Sequence, residues 1–362
     1  MLAFTCSVCE RLVTFESTDC LYCASDLGYD PVSRAMVAVG SRSTGAGRCA
    51  NALLAACNWV ARDGELCASC RLTRTRPNDS DERGLGGFAA AETAKRRLLF
   101  ELADLGLPIV GWQDGEDGLA FDLLSSELAA VTMGHAEGII TLDLDETDPA
   151  HRERMRVRLG EPYRTVLGHL RHEIAHYYQP ILVLPGTAEE WRCREIFGDD
   201  REDYQQAMDR YYAAGAPAEW EQRFVSAYAT MHPWEDWAET FAHYLHLRDT
   251  LQTAAAYGVR VDGPAVATTD ALPLISRPRE ALGDLASMLR SWLPLTYALN
   301  AISRSLGSAD LYPFVLTPDI EVKLAFIDEL VRARAGEIQR SAQGSSSPPP
   351  GFTIEGAGGV RP

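Results

Sequence analysis

The sequence lacks both a long apolar run and a surplus of positive charge. No stretch reaches 18 consecutive apolar residues, so we expect no membrane-spanning helix and no membrane partner. The chain has 34 lysines and arginines against 51 aspartates and glutamates, a net charge of −17. This acidic balance argues against a nucleic-acid partner bound through its phosphates. The first residues, Met1 to Cys6, lack the basic and apolar regions of a secretory signal, so we expect a cytoplasmic protein.

Cysteine is almost absent after residue 80, because the first 80 residues hold eight of the nine cysteines. The same segment has eight arginines and eight acidic residues, so it is neutral and the whole charge of −17 lies after it. A disulfide framework requires an oxidising compartment, whereas clustered thiols in a cytoplasmic chain indicate metal binding. The sequence therefore predicts a neutral, metal-binding part up to residue 80 and an acidic part after it.

The eight clustered cysteines form two sets of four. The first set is Cys6, Cys9, Cys20 and Cys23, and the second is Cys49, Cys57, Cys67 and Cys70. Four thiolates complete a closed tetrahedral zinc shell, so we predict two structural Zn²⁺ ions that supply folding energy. A pairing interleaved between the two sets is the alternative. Because the segment has no net positive charge, we expect it to act as a scaffold or to dock a protein partner.

The composition changes along the chain in a way that predicts three parts. Residues 72–84 are polar and rich in turn residues, which indicates a linker. A helix is predicted from Phe88 to Leu105, strands are predicted at 118–123 and 138–145, and the later pattern is almost wholly helical. We predict an α+β fold with a zinc-ribbon module at 1–80, a mostly α-helical domain with a small β-sheet at 81–340, and a disordered tail at 341–362.

The motif His172-Glu173-Ile174-Ala175-His176 predicts a catalytic zinc site. We expect a helix that starts at Gly160 and Pro162 and ends at Pro180. His172 and His176 are four residues apart, so both imidazoles point the same way, while Glu173 lies about 100° further around the helix. Two imidazoles would bind zinc, which lowers the pKa of a bound water toward about 7. Glu173 would accept the proton of that water.

A further zinc ligand is expected on a later helix that begins at Pro233. Glu235 and Glu239 are four residues apart and share one face, so one carboxylate would bind zinc while the other holds the far nitrogen of a ligand histidine. Spacing alone does not assign the two roles, and His243 is a third candidate. A histidine ligand at the metzincin spacing is excluded because position 182 is Leu182.

The HExxH motif followed by ExxxE resembles the gluzincin metallopeptidases, and the segment from Glu235 to Glu239 is similar to the corresponding segment of anthrax lethal factor. This resemblance implies that Glu235 binds zinc and that Glu239 contacts a ligand histidine. It also implies that Tyr228, seven residues before Glu235, donates a hydrogen bond to the reacting oxyanion.

The whole arrangement resembles a bacterial family of zinc-binding metallopeptidases with an N-terminal zinc-ribbon domain. The resemblance spans residues 1–335 and is carried by Cys57-Asn58-Trp59, residues 67–75, residues 160–165, Arg171 to Tyr178, and His232 to His246. It implies a zincin-like domain, one catalytic Zn²⁺ beside the two structural ions, and a peptide or protein substrate. The alternatives are a non-catalytic zinc-binding scaffold or protein-interaction module on a zincin fold, and hydrolysis of a non-peptide amide.

The substrate is expected to lie along a strand, because zincin folds lend backbone hydrogen bonds from a strand to an extended peptide. We predict that the strand at 138–144 has this role. His135, just before it, is interpreted as a turn residue. His169 lies near the metal-binding face of its helix and is interpreted as a residue that supports the zinc site from outside the ligand set or only packs there. The charged run at 199–203 is interpreted as a solvated loop.

Overall fold

The computed structural model describes residues 1–40, 47–62, 64–127, 129–263, 275–278 and 283–344. Its strands are β1 (Phe4–Thr5), β2 (Leu12–Val13), β3 (Leu27–Asp30), β4 (Ala35–Ala38), β5 (Gly47–Arg48), β6 (Val60–Ala61), β7 (Thr73–Thr75), β8 (Ala120–Leu124), β9 (Gly134–Ala136), β10 (Ile139–Asp143), β11 (Val261–Asp262) and β12 (Ile275–Ser276). Its α-helices are α1 (Glu82–Leu105), α2 (Pro149–Leu159), α3 (Val166–Leu182), α4 (Ala188–Phe197), α5 (Tyr204–Ala214), α6 (Pro233–Ala256), α7 (Leu285–Ser305) and α8 (Pro318–Gly344).

The first 72 residues contain three short antiparallel strand pairs, β1–β2, β3–β4 and β5–β6, and the turns around them carry the clustered cysteines. A mostly helical region with one four-stranded sheet follows. The predicted α+β class, with a zinc-ribbon region ahead of a helical domain, is therefore confirmed. Among the described residues, no helix combines the length and the apolarity that crossing a membrane requires.

The predicted linker at 72–84 contains a strand. β7 pairs in parallel with β8, so the first part of the predicted linker belongs to the sheet of the helical region. The Arg74 guanidinium pairs with the Asp122 carboxylate of β8, with Nε 3.0 Å from Oδ1. Polar residues such as Arg74 resemble linker residues in sequence, but at a sheet edge their side chains are paired or reach solvent.

The sheet has the strand order β7–β8–β10–β9. β7, β8 and β10 run parallel, whereas β9 is an edge strand antiparallel to β10. The turn between β9 and β10 consists of Glu137 and Gly138, with φ of +50° and +79°. Positive φ at both central residues is the geometry of a type I′ hairpin, which brings β9 back beside β10.

Helix α3 carries the HExxH motif, and its bounds differ from the prediction. Gly160 ends α2 instead of starting α3, because its φ of +67° gives it the left-handed conformation of a helix C-cap. Thr165 begins α3 instead, since its hydroxyl accepts a hydrogen bond from the Gly168 amide. Pro180 lies inside the last turn, and α3 continues to Leu182. A proline disrupts only one backbone hydrogen bond there, so the final turn survives it.

The packing of α3 against α6 brings the two candidate ligand segments together. α6 begins at Pro233 as predicted, and His232 caps it by accepting a hydrogen bond from the Trp234 amide. Trp237 is fully buried and donates a hydrogen bond from its indole nitrogen to the Ala175 carbonyl at 2.9 Å. This contact fixes the two helices at the level of the HExxH motif.

Helix α1 lies between the ribbon region and α3. It ends at Leu105 as predicted, because Gly106 adopts φ of +70°, but it begins at Glu82, where Asp81 caps its first turn. At the other end of the chain, α8 continues to Gly344, so it includes the first residues of the tail predicted at 341–362. The rest of that tail lies outside the described residues.

Candidate metal centres

The first four cysteines converge on one point. The Sγ atoms of Cys6 and Cys23 are 3.7 Å apart, and those of Cys9 and Cys20 are 3.6 Å apart. All four sulfurs lie within 4.8 Å of one another. Sulfurs that bind a tetrahedral zinc ion at 2.3 Å are about 3.8 Å apart, so this set has the spacing of a structural zinc shell.

The second four cysteines converge in the same way. The Sγ atoms of Cys57 and Cys67 are 3.6 Å apart, and the Cys49 sulfur accepts a hydrogen bond from the Cys67 amide at 3.2 Å. Cys70 completes the set, all of whose members are buried. The cysteines thus group in sequence order, and the interleaved pairing does not occur.

The candidate catalytic centre consists of two histidines on α3 and one glutamate on α6. His172 Nε2 lies 3.3 Å from His176 Nε2 and 3.0 Å from Glu235 Oε2, and the remaining distance, from His176 Nε2 to Glu235 Oε2, is 3.6 Å. Ligand atoms that bind tetrahedral zinc at 2.0–2.1 Å are about 3.3 Å apart. The three donor atoms therefore have the spacing of a zinc site.

The contacts of these side chains suit a cation between the three donor atoms. His172 Nδ1 donates a hydrogen bond to Glu239 Oε1 at 2.7 Å, which leaves the lone pair of its Nε2 facing the centre. Glu235 Oε2 is buried and has no hydrogen-bond partner among the described residues. An anionic oxygen and two imidazole lone pairs repel one another unless a metal ion lies between them.

The other acidic and histidine side chains of α6 near the centre lie outside the group of three donor atoms. Glu239 contacts His172 and lies outside the group of three donor atoms, as the resemblance implies. His243 also lies outside it, because its Nδ1 is 2.7 Å from the Tyr312 hydroxyl. Asp236 faces away and pairs with Lys323 at 2.6 Å.

Glu173 lies on α3 between the two candidate ligand histidines in sequence and does not join the three donor atoms. Its side chain is buried, and Oε1 is 3.5 Å from Nε2 of His169, one turn earlier on α3. His169 thus contacts the carboxylate from outside the ligand set, which is one of the two roles that the sequence suggested for it. A buried carboxylate next to a metal-bound water is in the position that a general base requires.

Two tyrosines lie next to residues of the centre. The Tyr228 ring is 5.9 Å from the His172 ring, and the Tyr204 hydroxyl donates a hydrogen bond to Glu235 Oε1 at 2.9 Å. Burial raises the pKa of both phenols well above the usual range, so both remain neutral hydrogen-bond donors. Tyr204 was not predicted. It lies 31 residues before Glu235, at the start of α5, and no spacing in the sequence relates the two.

The strand beside the centre is β9, which corrects the prediction for 138–144. β10 occupies most of that range and is paired on both sides, so it has no free edge to offer a peptide. β9 is an edge strand and contacts α3.

His135 lies on β9, not in a turn, and its ring stacks on that of His176 at a centroid distance of 6.4 Å. A three-residue strand has too little alternation to be recognised, although Gly138 marked the turn that follows it.

Sequence comparisons agree with this arrangement. Residues 85–330 match the family described as "Putative zinc-binding metallo-peptidase", and residues 3–81 match a zinc-ribbon domain. The chain therefore belongs to this zinc-binding metallopeptidase family, which confirms the family resemblance. Uncharacterized proteins of Mycobacterium tuberculosis and Mycobacterium bovis are each 49% identical over 337 residues, covering 91% of this chain and 95% of the relative. No solved structure matches.

Proposed function

We propose that this protein is a zinc-dependent metallopeptidase of the gluzincin type, which hydrolyses peptide bonds. The observation that carries the proposal is the group formed by His172, His176 and Glu235. Its three donor atoms come from two packed helices, lie 3.0–3.6 Å apart and have Glu173 beside them. A zinc ion bound there would lower the pKa of a water molecule and polarise a carbonyl group.

The residues around the proposed zinc ion have separate roles in the reaction. Glu173 accepts the proton of the attacking water and passes it to the leaving amine. Tyr228 donates a hydrogen bond to the carbonyl oxygen as negative charge develops there. Glu239 fixes the orientation and tautomer of His172, and Tyr204 holds Glu235 Oε1 so that Oε2 faces the two histidines.

A peptide is the substrate class that the sheet favours. β9 has one unpaired edge and lies against α3, so an extended peptide can add to the sheet through backbone hydrogen bonds. A small non-peptide amide has no extended backbone that could form hydrogen bonds with this edge. The edge strand thus supports peptide-bond hydrolysis over the other amide reactions that the same side chains could carry out.

The ribbon region supports a second, additional role in binding a protein. Leu21 and Tyr22 lie between the paired cysteines of the first set and are 93% and 67% exposed, and Leu53 near the second set is 98% exposed. Apolar side chains this exposed are suited to protein contact. In this reading the ribbon docks a protein partner. Among the described residues, none of the nine cysteines of the chain forms a disulfide, which suits a reducing cytoplasm.

Zinc analysis tests the proposal. We expect three zinc ions per chain in the wild type by elemental mass spectrometry, two from the cysteine sets and one from the third centre. His172→Ala should retain two ions and lose hydrolysis of fluorescein-labelled casein, while His151→Ala on α2 should retain all three ions and the activity. A wild type with two ions, both insensitive to His172→Ala, would contradict an enzyme and favour the binding role alone.

A further inference from the structure

We propose that His135 is a substrate-positioning residue, whose Nε2 hydrogen-bonds the backbone of a peptide bound along β9, close to the scissile bond. The inference rests on the proposed peptidase function and adds a contact that the HExxH and ExxxE motifs do not supply. His135 is the middle residue of β9, the edge strand beside α3.

The side chain of His135 faces the metal helix. In the register of the hairpin, His135 pairs with Ile140, whose side chain is fully buried on the same face of the sheet. The imidazole is nearly parallel to that of His176, at a centroid distance of 6.4 Å and an angle of 13°, and contacts the edge of Tyr177 at 6.2 Å. These two contacts hold the ring in one orientation.

The Nε2 atom of His135 is buried and has no hydrogen-bond partner among the described residues. A buried polar atom without a partner costs about 1–3 kcal/mol, so such atoms are uncommon outside sites that receive a ligand. A neutral imidazole offers one donor and one acceptor, which matches a peptide group.

His135 does not belong to the zinc site. The three donor atoms of the centre lie within 4.8 Å of one another, and no atom of His135 joins them. The parallel stacking places its ring alongside His176, where it would contact a substrate that is bound along β9.

The edge of the sheet on which His135 lies indicates which part of the substrate it contacts. An extended peptide that adds to β9 presents its backbone groups along this edge. His135 stacks on His176 of the metal centre, so a backbone group of such a peptide close to the scissile bond lies within reach of its Nε2.

Two substitutions at position 135 separate hydrogen bonding from ring packing. His135→Phe keeps an aromatic ring against His176 and Tyr177 but removes both nitrogens, whereas His135→Gln keeps a donor and an acceptor. With an internally quenched peptide that the wild type cleaves, we expect His135→Phe to raise KM about tenfold and to change kcat less than threefold. We expect His135→Gln to restore most of this loss. Glu137→Asn, in the exposed hairpin turn where asparagine is well tolerated, should behave as wild type.

A binding measurement provides a readout that does not depend on turnover. A fluorescent dipeptide hydroxamate should bind His135→Phe about tenfold more weakly than wild type, while acetohydroxamate, which reaches only the metal, should bind both equally. Loss of the third zinc ion in His135→Phe, or an unchanged KM and hydroxamate affinity, would overturn the inference. If the wild type cleaves no peptide but the hydroxamate result holds, the peptidase proposal fails and the positioning role of His135 stands.

Discussion

At the scale of single residues, Glu235 illustrates how the site is assembled from several elements. Tyr204 from α5 holds its Oε1, so Oε2 is the oxygen that faces His172 and His176 from α3. Glu239, one turn later on α6, holds the far nitrogen of His172. Each candidate metal ligand on this side is thus oriented by a partner outside the group of donor atoms, which restricts the motion of the site.

The two tyrosines are expected to differ in function despite their proximity. Tyr228→Phe should retain the third zinc ion and lower kcat about 10²–10³-fold, because it removes a hydrogen bond made to the developing oxyanion. Tyr204→Phe should weaken binding of that ion about 10–100-fold, because Glu235 loses the contact that orients it. Zinc competition with a chelator and steady-state kinetics measure the two effects. Weaker zinc binding in Tyr228→Phe together with a loss of kcat alone in Tyr204→Phe would show that the two tyrosines have each other's role.

Side chains whose roles follow from local spacing could be predicted, and those that depend on tertiary contacts could not. His172, Glu173 and His176 follow from the helical period, and the resemblance pointed to Glu235. Tyr204 reaches Glu235 only because the loop before α5 packs against the start of α6, where the Glu202 carbonyl lies 3.1 Å from His232 Nε2. No pattern within one helix or strand contains that information.

At the scale of elements, α1 connects the ribbon region to the metal helix. Near its middle, Arg96 is 2% exposed and donates hydrogen bonds to the Ala55 and Ala56 carbonyls at 3.2 and 2.9 Å. These carbonyls directly precede Cys57, and Ala56 has an unfavourable φ of +46°. One turn later, Glu101 pairs with Arg171, the residue before His172.

Substitution of Arg96 tests this connection. Arg96→Met should destabilise the protein by about 3–5 kcal/mol and release the second structural zinc, because it leaves two carbonyls without their buried partner and removes one of the two cations that pair with buried Glu92. Arg97→Met is the matched control. Arg97 is 42% exposed and pairs with Glu16, so its loss should cost less than about 1 kcal/mol. Denaturant unfolding and zinc content measure both variants, and equal effects would contradict the assigned role.

The sheet is the element that sequence reasoning predicted least completely. The positions of β8 and β10 were predicted from their apolar character, but β7 and β9 were not. Both are edge strands of three residues, and their residues alternate too little to be distinguished from loops. The edge strands nevertheless determine which side of the sheet can receive a peptide.

At the scale of the whole molecule, the ribbon region and the helical region share one core. The ring of Phe100 on α1 packs against Phe15 at 5.3 Å, Tyr29 at 5.9 Å and Phe4 at 6.0 Å. β7, which follows the second cysteine set directly, extends the sheet of the helical region. The predicted boundary at residue 80 stays a prediction, but the two parts are packed together and are not separated by a free linker.

The negative charge of the molecule is partly paired with arginine. In the run at 199–203, Asp199 pairs with Arg201, Asp200 with Arg194 and Glu202 with Arg210, while Asp203 caps α5. The prediction of a solvated loop holds for the exposed members of this run. These pairs reduce the field that the run would otherwise exert on a substrate.

The most direct test of the account is the activity of Glu173→Gln. Glutamine has nearly the same shape as glutamate but cannot accept the proton, so we expect three zinc ions, an unchanged midpoint of thermal unfolding, and a loss of about 10²–10⁴-fold in peptide hydrolysis. Glu195→Gln, at an exposed position of α4, should retain full activity. A Glu173→Gln protein that hydrolyses peptides at the wild-type rate would contradict the central claim that this carboxylate is the base of a zinc peptidase.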